Sequence, residues 1–530
     1  MRRANAKLTS ISLERFKSFE ERVKIDLAPL TIIHGRNNGG KSSIIQSLLL
    51  LKQTLADPRS DVPLRLDGVV DAFSVRELTW GWPAAADEVQ GPRITLKWES
   101  EVDLNVAREE ARRPDMSNFV ALTGVDDFTE GQDHFRTSTA LSIEYAEVRG
   151  SVQIKSLKLV DGRGRAFDMR NRNGRWSCRW RSGKKREYWP AHDIEVELHH
   201  FIPYLRIDRG ALGPRDKQRA WHNAYVFLFA QPLEALVGLL ADLQSLGSTR
   251  EPPPSLYRIS STAPQEVGVS GEFAAQLLHR RQGELVHYLP PLNVDEASEV
   301  KALPLVDAVN DVLGSVSIDA PLRVDEIQNV GFRLLFGEAS IAHVGRGLTY
   351  LLPLIELGLI ADPLRFSGAS ESMSLADYIE QCGAYTHVAV EEPEAHLHPK
   401  VQSRLAHWLV SLAMANRRLI VETHSDHLVR RLRGLVARAG RGSELEQWLL
   451  DNVIILGVEQ DAEGRSTVTS SRLTAEGGVG ETWPADFMDE ASSEESAIYY
   501  AGLDKGESNA LTTPAGLEFD DGEEPDGEAP

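Results

Sequence analysis

Eight residues near the N-terminus have the types and the spacing that bind a phosphate group. The pattern G-x-x-x-x-G-K-[ST] is matched at every fixed position by Gly35, Arg36, Asn37, Asn38, Gly39, Gly40, Lys41 and Ser42, and Ser43 follows. Small residues let backbone N–H groups point at the β-phosphate of a nucleotide, and the start of the next helix adds to this attraction. We expect Lys41 to bridge the β- and γ-phosphates and the Ser42 hydroxyl to ligate Mg²⁺. The loop therefore predicts a site for ATP and Mg²⁺.

Two consecutive carboxylates later in the chain could complete such a site. The stretch THVAVEEPEAHLHP at 386–399 is typical of a buried strand that ends in Glu391 and Glu392. Neighbouring side chains on an extended backbone point to opposite faces, so the two carboxylates can serve different roles. We assign Glu391 to the Mg²⁺ shell and Glu392 to polarising the attacking water. The alternative is an exposed acidic turn after a strand.

A histidine follows at the end of a third predicted strand. In RRLIVETHSDHLVRRLR, residues 417–433, the apolar run leads into Glu422-Thr423-His424-Ser425. Ligands of open α/β sheets bind at the C-terminal ends of the strands. We therefore predict that His424 senses the γ-phosphate and acts in catalysis with Lys41 and Glu392.

Hydrophobic patterning indicates which elements hold these residues. Residues 8–34 alternate as strands do and lead into the glycine loop, and the segment from about 90 to 215 is rich in strand patterns. Helical patterns dominate from about 216 to 315, and strand–helix alternation returns from 331 to 475. The chain is thus predicted to be an α/β P-loop NTPase made of two α/β segments that flank a long insertion, first β-rich and then helical.

A chain of 530 residues exceeds the size of a single core, so several domains are expected. We predict an N-terminal lobe with the glycine loop at 1–90, the insertion at 91–330 and a C-terminal lobe at 331–440. A small C-terminal domain is predicted at 441–492. An acidic tail at 493–530, poor in large apolar side chains, is predicted to be disordered.

Charge and cysteine content limit the cellular setting. The net charge is -20, of which nine Asp/Glu and one Lys in residues 501–530 account for -8, so about -12 remains and a local basic groove is possible. Only Cys178 and Cys382 occur, which suits a reducing compartment. The N-terminus lacks the apolar run of a secretion signal, and polar residues interrupt the apolar segment 225–243. We expect a cytoplasmic protein with no membrane partner.

The three motifs together resemble a known family. GRNNGGKSS, VAVEEPEAHLHP and VETHSDH, in this order, resemble the phosphate loop, the Walker B strand with D-loop, and the switch histidine of ABC-type ATPase heads. The chain is similar to bacterial AAA ATPases related to the RecF/SMC group and to the OLD (overcoming lysogenization defect) family. ISLERFKSFEE, PQEVGVSGEFAAQLL and WPADFMDE resemble a subgroup with a short C-terminal domain of unknown function and no Toprim nuclease. The resemblance covers residues 8 to about 490.

The resemblance implies a homodimer that sandwiches ATP. In such heads a signature segment from one subunit contacts the γ-phosphate bound by the other. The matching segment is IAHVGRGLTYLLPLIELGLI, in which Gly345 and Gly347 precede an apolar helix and Thr349 offers a hydroxyl. It departs from the family pattern, which has Ser-Gln at the positions of Thr349 and Tyr350 and an acid at His343. The alternative is a loop that only caps the helix.

The most basic stretch, residues 170–189, mixes arginine and lysine with Trp176, Trp180, Tyr188 and Trp189. Guanidinium groups for phosphates and rings for bases would suit DNA. The stretch equally suits an exposed hairpin whose tryptophans cover the core of the insertion. Both interpretations stay open at this point.

Two further activities are weighed and set aside. Glu394, His396 and His398 could suggest a metal site, but they lack the spaced ligand sets of zinc sites and match the D-loop. A built-in nuclease is not expected, because the region after 451 gives NVIILGV and then a polar stretch, and the acidic run FDDGEEPDGE has no strands around it. No set of metal-binding carboxylates besides the ATP site is visible in the sequence.

The predicted function is that of an ATP-hydrolysing dimeric switch. We expect the ATPase subunit of an antiphage defence system that controls a separate, nuclease-like effector protein. One alternative is a RecF/SMC-like ATPase of DNA repair or recombination. Another is a nucleotide-gated scaffold that binds ATP with little turnover.

Overall fold

The computed structural model describes residues 6–84, 86–103, 134–172, 174–182, 185–189, 195–206, 222–259, 264–292, 299–365, 369 and 371–480. Side chains are described for these residues except 182, 185–189, 195 and 206. The predicted acidic tail at 493–530 lies outside this part of the chain.

The strands are, in chain order, β1 (Ala6–Glu14), β2 (Val23–Asp26), β3 (Leu30–Gly35), β4 (Glu88–Asp103), β5 (His134–Val148), β6 (Ser151–Asp161), β7 (Ala166–Arg172), β8 (Arg175–Ser182), β9 (Lys185–Trp189), β10 (Glu195–His199), β11 (Ile202–Arg206), β12 (Gln244–Leu246), β13 (Leu285–Tyr288), β14 (Glu299–Pro304), β15 (Leu322–Ile327), β16 (Gly331–Phe336), β17 (Ala339–Ser340), β18 (Met373–Ser374), β19 (Thr386–Glu391), β20 (Arg417–Glu422), β21 (Val453–Gln460) and β22 (Ser466–Arg472). The α-helices are α1 (Lys41–Leu55), α2 (Gln231–Ala241), α3 (Ala274–Arg281), α4 (Leu305–Ser315), α5 (Arg346–Ile360), α6 (Leu375–Cys382), α7 (Pro399–Met414), α8 (Asp426–Arg438) and α9 (Glu444–Asn452).

A six-stranded sheet in the order β12-β19-β20-β3-β21-β22 carries the predicted site. All neighbours run parallel except β21 and β22, which form an antiparallel pair at the edge. In β3, β19 and β20 nearly every residue is buried, as expected for parallel strands covered on both faces. Because these strands are parallel, the loops after them meet at one edge of the sheet.

The last strands belong to this same sheet. β21 pairs along its length with β3, with Val458 opposite Gly35. The segment predicted as a small C-terminal domain at 441–492 therefore contributes two strands beside the glycine loop, as far as it is described to residue 480.

An eight-stranded antiparallel sheet follows the order β2-β1-β4-β5-β6-β7-β8-β9. β4 runs through the predicted boundary between residues 90 and 91, so one sheet joins the N-terminal lobe to the β-rich part of the insertion. Its inner face is apolar and packs on the segment that leads into α2. The Trp98 indole Nε1 donates to the Pro232 carbonyl at 2.9 Å, and the rings of Phe167 and Tyr225 are 5.2 Å apart.

This helical segment has one further property. Within the described residues, His222–Ala241 is long and apolar enough to cross a membrane by length and composition, and 61% of its most apolar window is buried inside the protein.

Candidate nucleotide site

The glycine loop connects β3 to α1 through a backbone that only glycine fits at two positions. Gly35 has φ +149°, and a Cβ there would lie 2.1 Å from the Val458 carbonyl oxygen. Gly40 has φ +96°, and its Cβ would lie 2.3 Å from the Ser18 hydroxyl. Side chains at either position would collide with the strand or turn beside the loop.

Lys41 lies folded against this loop. Its side-chain amine Nζ donates to the carbonyl oxygens of Gly35 at 3.0 Å and of Arg36 at 2.8 Å, and the residue is only 4% exposed. Burial lowers its pKa, whereas Glu422 and Glu392 raise it. The ammonium group is thus held at the loop by weak neutral acceptors, which the phosphates of a nucleotide can replace.

An open cavity of about 700 Å³ lies over the loop. It is lined by Lys17, Ser18, Asn37, Asn38, Gly39, Gly40, Lys41, Ser42, Ser43, Glu392, Glu422 and His424. The volume is within the usual range for small-molecule sites. The structure therefore brings most of the predicted phosphate-binding residues together with Glu392 and His424.

The carboxylate nearest the loop serine is Glu422. Ser42 Oγ donates to Glu422 Oε1 at 2.8 Å, and Glu422 Oε2 is buried with no hydrogen-bond partner among the described residues. Burial raises the pKa of Glu422 to about 7, and the carboxylates of Glu391 and Glu392 add to the rise. The sequence placed Glu422 at the end of the third predicted strand, but no role was predicted for it.

Glu391 lies beside Glu422 but does not line the cavity. It pairs with Glu422 across β19 and β20, and its Oε2 accepts the Ser248 backbone N–H at 3.4 Å. Burial raises its pKa. The carboxylate predicted for Mg²⁺ thus faces the loop after β12, whereas Glu422 contacts the loop serine.

Glu392 and His424 reach the cavity from the turns after β19 and β20. Glu392 has φ +45°, and its backbone N–H donates to the Glu422 carbonyl at 2.8 Å. The His424 N–H donates to Glu394 Oε1 at 2.7 Å. Burial lowers the pKa of His424, and Lys41 lowers it further, so the imidazole is neutral near pH 7.

Three supports of the cavity were not predicted from the sequence. Lys17 and Ser18 come from the turn after β1, and Lys17 Nζ donates to the Gln46 side chain. Ser466, at the start of β22, donates through Oγ to the Gly39 carbonyl at 2.7 Å, and its N–H donates to the Ser18 carbonyl at 2.8 Å. A serine in a β-hairpin gives no signal of this role in a single sequence.

The structure does not bring the signature residues to this cavity. Gly345, Gly347 and Thr349 lie at the start of α5, and Thr349 Oγ1 donates to the Arg346 carbonyl at 2.9 Å on an exposed surface. A Cβ at Gly347 would lie 2.7 Å from the His396 carbonyl oxygen. The first turn of α5 therefore packs on the turn after β19.

Side chains alternate between the two faces of β8, which separates the buried tryptophan of the basic stretch from its exposed arginines. Cys178 and Trp180 of β8 are buried, and the Trp180 ring lies 6.2 Å from that of Phe229, whereas Arg175 and Arg179 are exposed. Trp180 thus belongs to the core and cannot stack on a base. The side chains of Tyr188 and Trp189 lie outside the described part.

The histidines near Glu394 have structural contacts. The His396 ring lies 4.8 Å from that of Tyr350, and His398 Nδ1 accepts the Lys400 N–H at 3.3 Å at the start of α7. Among the described residues, no group of three or more His, Cys, Asp or Glu side chains is arranged to hold a metal ion by itself.

Comparisons with solved structures give low similarity over most of the chain. An Smc head bound to the C-terminal winged-helix domain of ScpA is 12% identical, with 88% of this chain and 98% of that chain covered at a TM-score of 0.37. An SMC head domain from Thermotoga maritima is 11% identical, with coverages of 87% and 98% and a TM-score of 0.32. An Smc head from Pyrococcus furiosus with an extended coiled coil, bound to the C-terminal domain of ScpA, is 11% identical. The match covers 93% of this chain and 100% of that chain at a TM-score of 0.35. Scores of this size do not establish a shared fold.

Family models identify two segments. The model "AAA ATPase domain" matches residues 7–174, and the model "AAA domain, putative AbiEii toxin, Type IV TA system" matches residues 323–430. No curated protein matches the chain. The first segment contains the glycine loop and the second contains α5, Glu392 and His424. The chain is therefore an α/β P-loop ATPase with two AAA-type segments, which confirms the predicted fold class. The first match extends into the segment predicted as an insertion at 91–330.

Proposed function

We propose that the protein binds ATP in the cavity over the glycine loop and hydrolyses its γ-phosphate. The observation that carries this proposal is the meeting of Lys41, Ser42, Glu392 and His424 at one edge of the sheet. Lys41 neutralises the phosphates, Glu392 accepts a hydrogen bond from the attacking water, and neutral His424 donates a hydrogen bond to the γ-phosphate.

The residues present fit Mg²⁺, which prefers oxygen ligands. Ser42 offers a hydroxyl and Glu422 a carboxylate whose second oxygen is buried without a partner among the described residues. Crowded carboxylates of raised pKa indicate a place where a cation would relieve repulsion. Ser42 and Glu422 would hold the ion. Glu391, the ligand predicted from the sequence, lies opposite Glu422 on the neighbouring strand. The ion would neutralise charge on the β- and γ-phosphates.

The functional unit is proposed to be a homodimer. The start of α5, with Gly345, Gly347 and Thr349, is outside the cavity of its own chain and partly exposed, so a second copy could receive it. A helix N-terminus that begins with glycines attracts phosphate oxygens. ATP between two chains would then contact the glycine loop of one and α5 of the other.

The test of this proposal compares Glu392→Gln with Lys41→Ala in the full chain. Glu392→Gln is expected to bind Mg·ATP normally, to lower turnover by at least about 100-fold, and to accumulate a dimer with ATP. Lys41→Ala is expected to weaken ATP binding by at least about tenfold, or 1.4 kcal/mol. Turnover assays, calorimetry and light scattering measure these effects, and Glu459→Gln, an exposed residue of β21, is the control.

Each part of the proposal has an outcome that contradicts it. Unchanged ATP affinity in Lys41→Ala would refute the site. Normal turnover in Glu392→Gln would favour the scaffold with little turnover. A Glu392→Gln variant that keeps its nucleotide-free mass when ATP is present would refute the dimer.

A second candidate function, DNA binding, is favoured by the outer face of the eight-stranded sheet. Register places Ser142, Lys158, Asp168 and Arg179 in one row across β5 to β8 on the face opposite the apolar core. A groove of about 570 Å³ on this face is lined by the basic residues Arg22, Arg93, Lys155, Lys158, Arg170 and Arg172 and the acidic residues Glu144 and Asp168.

Several of these cations are available to a ligand. Arg93 pairs with Glu14 at 2.7 Å and with Glu144 at 2.9 Å. Within the described part of the chain, Lys158, Arg170 and Arg172 have no carboxylate at ion-pair distance. A concave basic face on an acidic protein fits a duplex phosphate backbone. We propose that this groove, whose lining includes the first residues of the predicted stretch 170–189, is the DNA contact.

The biological setting follows from the predicted partners. We propose the ATPase subunit of a cytoplasmic antiphage defence system that regulates a separately encoded, nuclease-like effector. The toxin–antitoxin description of the model matched at 323–430 supports a two-component arrangement. A RecF/SMC-like ATPase acting on DNA during repair or recombination is the alternative. Co-purification of a nuclease with the ATP-bound Glu392→Gln dimer tests the first setting, and a dimer that binds DNA without a second protein favours the alternative.

A further inference from the structure

Arg250 donates to three main-chain carbonyls where the start of α5 meets the end of β19. It lies in the loop after β12 and is 3% exposed. Nη1 donates to the Tyr350 carbonyl at 2.6 Å, and Nη2 donates to the carbonyls of Glu391 at 3.3 Å and Glu392 at 3.2 Å. One rigid guanidinium therefore connects the beginning of α5 to the end of β19.

The cation remains charged in this buried place. Its guanidinium carbon lies 5.3 Å from the centre of the Tyr350 ring. Burial lowers the pKa of Arg250 to about 10, while Glu394 and Glu392 favour the charged form. Arg250 thus keeps all of its donors at neutral pH.

The peptide that Arg250 holds has an unusual conformation. Glu392 has φ +45°, a left-handed value that costs a residue with a side chain on the order of 1 kcal/mol. Its N–H is fixed by the Glu422 carbonyl, and its carbonyl oxygen by Arg250 and by the Ala395 N–H at 3.1 Å. These bonds determine where the Glu392 side chain points, because the turn alone does not favour that backbone.

The hydrogen-bond ladder of α5 is interrupted just after its first turn. Pro353 lies inside α5 and has no N–H to donate to the Thr349 carbonyl, so the helix is weakened at that point. The Tyr350 carbonyl, which Arg250 holds, is on the N-terminal side of this break. Displacement of the first turn would therefore pull on the guanidinium and, through it, on the Glu392 peptide.

We propose that Arg250 is a positioning residue that makes the orientation of Glu392 depend on the position of the first turn of α5. A partner chain that docks on this turn would set the Glu392 carboxylate for water activation, and loss of Arg250 would uncouple the two. This inference rests on the proposed role of Glu392 in hydrolysis.

The test measures turnover and ATP affinity separately in Arg250→Gln and Arg250→Lys. Arg250 does not line the cavity, so the Kd for Mg·ATP should stay within about twofold, whereas kcat should fall at least about tenfold through misplacement of Glu392. The lysine variant should fall as far, because one ammonium group cannot span three carbonyls.

The matched control is Arg417→Gln. Arg417 is also fully buried and donates to Tyr378 Oη, the Ala415 carbonyl and the His287 carbonyl, but at the other end of β20. It should lose thermal stability and keep its kcat per folded chain. Should Arg250→Gln not fold, Tyr350→Leu, which removes the ring beside the guanidinium, should lower kcat by at least about threefold at unchanged Kd.

A double variant separates positioning from general support. If Arg250 acts through Glu392, single-turnover hydrolysis by Glu392→Gln with Arg250→Gln should be no slower than by Glu392→Gln alone. A further loss in the double variant, a kcat near wild type in Arg250→Gln, or parallel losses of kcat and affinity would overturn the inference. Normal turnover in Glu392→Gln alone would instead refute the proposed function beneath it.

Discussion

Three glutamates, Glu391, Glu392 and Glu422, crowd the ends of two neighbouring strands, β19 and β20. Of the three, Glu422 has the clearest electrostatic consequence, because burial raises its pKa to about 7 while Ser42 and Lys41 oppose the rise. The unfolded chain would bind that proton with a pKa near 4.3. Between these values the folded protein holds more protons than the unfolded chain, so its free energy of unfolding falls as pH rises.

We predict that Glu422→Gln stabilises the nucleotide-free protein in a pH-dependent way. The variant cannot ionise, so it avoids a penalty of at most about 4 kcal/mol that the wild type has fully acquired above pH 7. Thermal unfolding in a metal chelator should give a higher Tm than wild type at pH 8 and an equal Tm near pH 4.5. A difference between variant and wild type that does not change with pH would contradict the raised pKa, and Glu459→Gln controls for the loss of an exposed carboxylate.

At this scale the sequence predicted the loop better than the carboxylates. The glycine loop has fixed spacing, so each of its residues could be named. Glu422 was missed because its importance depends on β20 lying between β3 and β19, and the order of strands in a parallel sheet is not written in their patterns. Arg250 was missed for the same reason, since β12 joins β19 across more than a hundred residues of chain.

The elements that support the glycine loop come from the end of the described chain. β21 lies beside β3, and Ser466 of β22 holds the Gly39 carbonyl. The loop is thus fixed from outside as well as by its own glycines. Its shape, and with it the affinity for phosphate, should depend on this hairpin.

We predict that Ser466→Ala weakens ATP binding without removing it. Loss of one buried hydrogen bond should cost about 1 kcal/mol of stability and leave the Gly39 carbonyl without its side-chain donor. Calorimetry should show a Kd for Mg·ATP raised by about three- to tenfold at similar kcat. Thr467→Ala, at the exposed neighbouring position of β22, is the control. Equal affinity in both variants would mean that the loop keeps its shape unaided.

The sequence left two interpretations of the basic stretch open, a DNA contact and a hairpin that covers the core. In the structure the two kinds of side chain lie on opposite faces of the sheet. The sequence allowed an exposed hairpin whose tryptophans cover the core, and in the structure Trp180 faces the core while Arg179 is exposed. The sequence could not show that this hairpin continues a sheet begun by β1, because that sheet pairs strands from distant segments. The groove on its outer face was for this reason not predicted.

The molecule as a whole has a net charge of -20, and its described part has a basic concave face. We predict that Lys158→Glu with Arg170→Glu lowers affinity for duplex DNA and reduces the slope of log K against log salt by about 2, since each phosphate contact contributes about 0.9. Fluorescence anisotropy of a labelled duplex over a salt series measures both values.

The control for this experiment has the same change of net charge. Arg258→Glu with Arg441→Glu reverses two exposed charges outside the eight-stranded sheet. If both double variants lose affinity equally, only the overall charge matters and the groove is not the DNA contact. Indifference of wild-type ATP turnover to DNA would point to a protein as the trigger.

The pairing of β3 with β20 and β21 also determines when the protein can fold during its synthesis. Gly39 and Ser466 are 427 positions apart, and a ribosome adds about 5–20 residues per second, so roughly 20–90 s separate their appearance. Until β20 and β21 have been made, the apolar β3 lacks these neighbours and is exposed to aggregation and to chaperones. ATP stabilises only a chain that can bind it. The nucleotide can therefore protect this protein only after nearly the whole described chain has left the ribosome.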